Sequence, residues 1–226
     1  MLGTPGEGWE GVFEIPRVLG KSPTPTLPRS SGRGSRSVTL ARMQRDVDQV
    51  LIPRAQIAQR VGELATQITA DRSAAADEGQ ITILPIMTGA MIFCADLIRE
   101  IPITMQIGLI TVSSYPGKSV ISQGAQVIGQ QLGDVKGRDV LLLDDILDTG
   151  ATLRLVKGVL EEKGAASVKT CVLLRKDRPS AQSFAADYVG FEIPDVFVVG
   201  YGLDFNNHYR NLPDIVTLKE EVLARP

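Results

Sequence analysis

Asp144 and Asp145 stand side by side, a third acid follows at Asp148, and all three lie in the run VLLLDDILDTGATL from Val140 to Leu153. Carboxylates grouped in this way can accept hydrogen bonds from sugar hydroxyls, hold a hard divalent cation through oxygen, or take up a proton. Asp148 opens the stretch Asp148-Thr149-Gly150-Ala151-Thr152, whose residues are mostly small or hydroxyl-bearing and whose glycine frees the backbone. Such a loop can turn several backbone N–H groups toward one phosphate at a helix N-terminus. Acids next to a phosphate would repel it, so the pattern calls for something between them: ribose hydroxyls, a magnesium ion, or both.

These groups need a rigid mount, and the flanking sequence supplies one. Val140 to Leu143 are consecutive apolar residues, suited to a strand buried on both faces of a parallel sheet and ending at the acids. Leu153, Val156 and Leu160 then recur at helical spacing. The polar groups therefore fall at the carboxyl edge of a strand, where open α/β sheets bind ligands.

The same plan recurs along the chain. After Pro53, which suits a first helical turn, Ile57, Val61, Leu64 and Ile68 form one apolar helical face. Gln80 to Met87 is an apolar strand, Thr88-Gly89-Ala90 a turn, and Ile92 to Ile101 a helix with Phe93, Leu97 and Ile101 aligned. Ile103 to Ser113 reads as one long strand, Ser114 to Gly124 as a polar loop, and Val127 to Leu132 as a short antiparallel strand. Val168 to Leu174 and Val196 to Tyr201 supply two more strands, and Gly164 ends the helix before the first of them. Strands alternating with helices predict an α/β domain, a mainly parallel sheet with helices on both faces.

The apolar strand, two acids, two further residues and Asp-Thr-Gly resemble the signature with which phosphoribosyltransferases bind phosphoribosyl pyrophosphate (PRPP). A second segment, YVGFEIPDVFVVGYGLD from Tyr188 to Asp204 followed by Tyr209-Arg210-Asn211-Leu212, resembles the purine-binding part of the hypoxanthine-guanine (6-oxopurine) phosphoribosyltransferase family. The likeness runs from about Leu51 to Leu218 and takes in Leu51-Ile52-Pro53, Phe93-Cys94-Ala95-Asp96-Leu97 and Ser114-Tyr115. It implies the type I phosphoribosyltransferase fold, with a small hood and a flexible loop beside the sheet. The implied reaction moves the 5-phosphoribosyl group of PRPP to hypoxanthine or guanine with Mg2+ as cofactor, giving IMP or GMP and pyrophosphate.

The resemblance also assigns roles. Asp144 and Asp145 engage the ribose hydroxyls and the magnesium around them, and Asp148, Thr149, Gly150, Ala151 and Thr152 bind the 5'-phosphate. Asp148 also faces N7 of the purine as general base. Lys176 donates to the purine O6, Phe197 offers a stacking face, and backbone groups of Val198 and Asp204 read the purine edge. The Asp204 side chain helps hold a second magnesium through water. Thr88 and Gly89 match a pyrophosphate-binding loop built on a non-proline cis peptide, and Arg210 matches an arginine directed at the same group. Ser114 and Tyr115 open the loop that closes over the reacting groups. Three positions depart from the family's usual residues: Thr88 and Ala151 stand where lysine is common, and Asp144 where glutamate is. Without the resemblance, Lys176 is a solubilising charge at a strand end and Phe197 a core residue.

Composition limits the alternatives. Lys plus Arg number 24 against 26 Asp plus Glu, so no global charge draws the chain to nucleic acid or an anionic membrane. Two cysteines lie far apart in apolar runs and the single histidine is His208, which argues against structural zinc or a disulfide framework and for a reducing, cytoplasmic setting. No apolar stretch is long enough for a membrane span, and the N-terminus has no signal-peptide core. Residues 1–42, rich in Gly, Pro, Ser, Thr and Arg, are predicted to be a disordered extension, leaving residues 43–226 as the catalytic domain. Pro116-Gly117-Lys118-Ser119 is not a P-loop, because the glycine required upstream is replaced by Val112. A nucleotide-sensing regulator that keeps the fold without catalysis is the rival reading; Asp148, Lys176 and Arg210 oppose it, as does the lack of a DNA-binding helix pair. The family further implies a homodimer or homotetramer.

Overall fold

A strand with apolar residues on both faces is stable only between two layers, and that requirement organises the molecule. The computed structural model describes residues 43–73, 81–113, 126–133 and 135–224. Its strands are β1 (Val47–Ile52), β2 (Ile81–Met87), β3 (Met105–Ile107), β4 (Leu109–Ser113), β5 (Gln126–Gln131), β6 (Asp139–Leu147), β7 (Ser167–Lys176), β8 (Tyr188–Ile193) and β9 (Ile215–Leu218). Its helices are α1 (Arg54–Ser73), α2 (Met91–Glu100), α3 (Ala151–Glu162) and the short α4 (Pro179–Gln182) and α5 (Glu220–Leu223). The main sheet has the order β5-β4-β2-β6-β7-β8, with β3 also on β2; β5 is antiparallel to β4 and the other pairs are parallel.

Central β6 shows how the sheet is buried on both faces. Leu141 and Leu143 enter the core shared with α1 and α2, whereas Val140 and Leu142 enter the core under α3, and all four are buried. Truncating such a leucine to alanine typically costs about 2–5 kcal/mol. The predicted apolar face of α1, Ile57, Val61, Leu64 and Ile68, is buried in the first core with Phe93 and Leu97 of α2. A third cluster gathers Val199, Leu212, Val216, Leu218 and Val222 around the two-stranded antiparallel pair β1-β9, which forms the hood.

Four readings of the sequence change. The strand expected to stop at Leu143 runs on through both acids to Leu147, because β7 pairs with it as far as Leu147↔Arg175 and gives those residues backbone partners. The single strand expected over Ile103 to Ser113 is broken at Gly108, opposite Leu84 and Pro85; Pro85 has no amide to offer the ladder, and Gly108 N–H donates instead to the Ile83 carbonyl at 2.9 Å. Val196 to Tyr201 is not a strand of the main sheet. Tyr188–Ile193 takes that place on β7, and the later segment forms only bridges, Val199↔Val216 and Gly200↔Leu203, after Pro194 and around a left-handed Gly200 (φ 96°). The hood strands β1 and β9 were not anticipated, because they lie near opposite ends of the described chain. The predicted tail, residues 1–42, and the loop Ser114 to Gly124, with Ser114 and Tyr115, lie outside the described residues.

Candidate active site

The carboxyl ends of β2, β6 and β7 open on one edge, and the acids stand at its centre. Asp144 is buried, and the Asp145 amide donates to its Oδ1 at 3.1 Å; the Ile146 amide donates to Asp145 Oδ1 at 2.9 Å. Burial pushes the Asp144 carboxyl well above the ordinary carboxylate range, and the neighbouring Asp145 charge adds to that rise. Burial raises Asp145 as well, against the opposing pull of its hydrogen bonds and of Arg210. A buried acid and its half-buried neighbour, which resist ionising together, suit a hard divalent cation with oxygen ligands. The described residues hold no group of three His, Cys, Asp or Glu side chains able to enclose a metal. This donor set fits magnesium, which characteristically takes one or two carboxylates and completes its shell with substrate oxygens and water.

Glycines let the backbone close around these acids. A Cβ at Gly89 would overlap Asp145 Oδ2, and one at Gly202, where φ is 107°, would overlap the Gly89 carbonyl. The Met87–Thr88 peptide is cis, in the loop where the family resemblance implied such a bond. Thr88, Gly89, the acid pair, Thr152, Asp204 and Arg210 share one cavity of about 410 Å³. Arg210 is held at its wall, with its guanidinium 2.7 Å from Asp204 Oδ1 and donating to the Gly202 carbonyl at 2.7 Å. Asp204 Oδ2 accepts the Asn207 amide at 2.8 Å.

The loop after β6 turns into α3 at Gly150, whose φ of 73° is the left-handed conformation open to glycine. A side chain there would also meet Phe184 Cβ at 2.8 Å. Asp148 through Leu153, with Asp144, line a cavity of about 60 Å³ at the start of that helix. Arg154 reaches back to the Thr149 carbonyl and holds the loop in place.

A third cavity, of about 190 Å³, lies between Asp145, Asp148, Lys176, Phe197, Val198 and Asp204. Its chemistry is that of a flat polar ring. Phe197 is 46% exposed, which leaves part of its ring surface open to a ligand, and makes a T-shaped contact with Phe205, at 5.7 Å between ring centres and 81° between planes. The Lys176 ammonium lies 3.5 Å from Asp148 Oδ2 and 3.2 Å from Asp195 Oδ1, and its side chain is 13% exposed. Arg178 donates to Asp148 Oδ1 at 2.8 Å. Another cavity sits at the opposite, amino-terminal edge of the sheet, but its charges are paired among themselves: Arg72 with Asp139 at 2.9 Å and Lys169 with Asp71 at 3.4 Å.

A model of the phosphoribosyl transferase domain matches residues 48–206, most of the chain. A hypoxanthine-guanine phosphoribosyltransferase of Bacillus subtilis (strain 168) is 38% identical over 180 residues, covering 80% of this chain and 98% of that protein. The chain belongs to the hypoxanthine-guanine phosphoribosyltransferase family. A member from Mycobacterium avium is 42% identical over 182 residues, or 78% of this chain and 88% of that one. The crystal structure of a hypoxanthine phosphoribosyltransferase from Staphylococcus aureus matches at 36% identity with a TM-score of 0.73, over 81% of this chain and 97% of that one.

In this phosphoribosyltransferase the residues singled out from the sequence that lie in the described part converge on one edge: Asp144, Asp145, Asp148 to Thr152, Thr88, Gly89, Lys176, Phe197, Val198, Asp204 and Arg210 all line the three adjoining cavities. Sequence reading missed Arg178, Asp195 and Ser180, whose hydroxyl donates to the Asp148 carbonyl at 3.2 Å. A signal for the first was present in Lys176-Asp177-Arg178-Pro179, where a second cation follows Lys176 just before a helix-starting proline. Asp195 stood in the quoted FEIPD segment, but nothing local separates it from an exposed turn acid.

Proposed function

We propose that this enzyme transfers the 5-phosphoribosyl group of PRPP to hypoxanthine or guanine, releasing pyrophosphate and forming IMP or GMP. The observation that carries the reading is the meeting, at one sheet edge, of a phosphate-sized cavity at the N-terminus of α3, a base-sized cavity walled by Lys176 and Phe197, and the acid pair between them.

The residues divide the work. The first turn of α3, from Gly150 to Thr152, takes the 5'-phosphate through its amides. Asp144 and Asp145 receive the ribose hydroxyls. The base stacks on Phe197, with Lys176 donating to O6 and the backbone of Val198 and Asp204 facing its edge. As the bond from the anomeric carbon to pyrophosphate oxygen breaks, its electron pair leaves with pyrophosphate and a purine ring nitrogen closes on that carbon. Asp148 takes the proton that the purine gives up at N7. Arg210 and the Thr88-Gly89 loop hold the departing pyrophosphate. Asp144 and Asp145, with Asp204, would hold Mg2+, which would supply charge neutralisation during the transfer. Positive charge developing at the sugar is matched by the carboxylates of Asp144 and Asp145, as in other oxocarbenium-like displacements.

The catalytic domain is assigned to residues 43–226. Cys94 and Cys171 are free and buried, which supports a cytoplasmic setting, and no helix among the described residues is long and apolar enough to cross a membrane. As the family resemblance implies, the chain assembles as a homodimer or homotetramer. The deciding assay measures pyrophosphate release from PRPP and Mg2+ with hypoxanthine, guanine and xanthine in turn. Release with hypoxanthine or guanine supports the reading, and no release with any of the three overturns it.

A further inference from the structure

Four charged side chains close a ring behind the base cavity. Lys176 stands at the end of β7, Arg178 at the start of α4, Asp148 after β6 and Asp195 after β8. Each cation touches both acids. Lys176 Nζ is 3.5 Å from Asp148 Oδ2 and 3.2 Å from Asp195 Oδ1; the Arg178 guanidinium is 2.8 Å from Asp148 Oδ1 and 3.6 Å from Asp195 Oδ1. The two oxygens of Asp148 are thus divided between the two cations, and one oxygen of Asp195 is shared by both.

Backbone bonds fix the frame. The Asp177 amide donates to the Ile193 carbonyl at 2.7 Å, which locks the ends of β7 and β8 together and so sets Arg178 beside Asp195. Only half of the ring faces the substrate side: Asp148 and Lys176 line the base cavity, whereas Arg178 and Asp195 do not. A lysine side chain has considerable rotamer freedom to lose, and two carboxylate anchors remove much of it before the base arrives.

We propose that Arg178 and Asp195 are positioning residues for the transfer, holding the Asp148 carboxylate and the Lys176 ammonium at a set separation so that one meets N7 and the other O6 of the same ring. This rests on the base-cavity reading given above. Arg178 acts through Asp148, and so on the proton taken up during the chemical step; Asp195 acts through Lys176, and so on base affinity and on the choice between oxo and amino groups. A misplacement of a fraction of an ångström at such groups is costly even when no contact to substrate is lost.

The test begins with wild-type protein and hypoxanthine. Inactivity there would end the base-cavity reading itself, whereas the positioning claim is judged only against an active wild type. Arg178→Ala is expected to lower kcat by about tenfold while KM for hypoxanthine stays within about twofold, the pattern of a contact used in the transition state. Arg178→Lys, which keeps the charge, should recover to within about threefold of wild type. Asp195→Asn should raise KM for hypoxanthine by about tenfold and narrow the preference over adenine, with the smaller effect on kcat. The double variant should lose less than the product of the single losses, since both act on one ring. Calorimetric binding of Mg2+ and PRPP serves as the control and should be unchanged. A folded Arg178→Ala protein with kcat within twofold of wild type, or one that loses kcat and PRPP affinity alike, overturns the proposal. If Arg178→Ala does not fold, Arg178→Gln, which preserves most of the side-chain volume, is judged by the same criteria.

Discussion

Asp148 does two things that pull in different directions. Its backbone begins the phosphate loop, and its carboxylate meets Lys176 and Arg178 directly, at the side of the base cavity. It does not cap α3, where Gly150 occupies the cap position with no side-chain hydrogen bond. Replacing only the carboxylate should therefore separate the roles: Asp148→Asn is expected to keep PRPP affinity and lower kcat by roughly 10²–10⁴-fold, the range for one acid–base group. Turnover within a few-fold of wild type would remove Asp148 as the proton acceptor. Lys176 makes a second prediction at this scale. A buried ammonium can satisfy an oxo group but not a 6-amino group, since two donors would then face each other away from water. Rates with adenine should fall far below those with hypoxanthine, and Lys176→Ala should shrink the difference; equal rates in wild type would end the 6-oxopurine assignment.

At the scale of elements, the turn from β6 into α3 is where backbone conformation and ligand binding coincide. Gly150→Ala places a Cβ in the left-handed region and against Phe184, so stability should fall by about 1–2 kcal/mol, with KM for PRPP rising because the amides of the helix start are displaced. Thermal melts together with PRPP titrations check both halves. The opposite edge of the sheet is tied differently. Asp139 at the start of β6 accepts from Ser167 of β7 and pairs with Arg72 of α1, and these partners, Ser167 first, hold its carboxyl below the ordinary range. A carboxyl depressed in the folded state contributes stability above its unfolded value and loses it as pH falls through the folded one. Asp139→Asn should accordingly melt below wild type at neutral pH, and the gap should close as the pH is taken below about 4. A gap that stays constant into acid would show that the ion pair contributes nothing through its charge.

For the whole molecule, the site depends on segments brought together from Thr88 to Arg210, and all of the described ones lie after residue 42. Deleting residues 1–42, which carry none of the motif residues, should leave kcat/KM within about twofold and the melting temperature nearly unchanged. Steady-state kinetics and calorimetry on the truncated protein test this. A folded but inactive product would mean that the N-terminal segment reaches the active site, and the assignment of residues 43–226 as the catalytic domain would fall. Sedimentation of the same protein reads the subunit number directly.

Local sequence determined those parts whose physics is local. A run of apolar residues ending in acids and a glycine-bearing turn specify a buried strand, its polar edge and a helix start without reference to the rest of the chain, and Val140 to Leu160 could be read on those terms. The apolar faces of α1 and α2 were legible for the same reason, since helical periodicity is a property of neighbours. Tertiary structure decided everything that needs a partner distant in sequence. β6 continues through its own acids only because β7 lies alongside, β1 exists only because β9 returns to meet it, and Val196 to Tyr201 joins the hood because Tyr188–Ile193 already occupies β7. Arg178 and Asp195 gained their place in the same way. Their neighbours in sequence make them ordinary turn charges, and only the alignment of the ends of β6, β7 and β8 brings both within reach of Asp148 and Lys176, because a charge pair at 3 to 4 Å is set by where backbones are held and not by the spacing of letters.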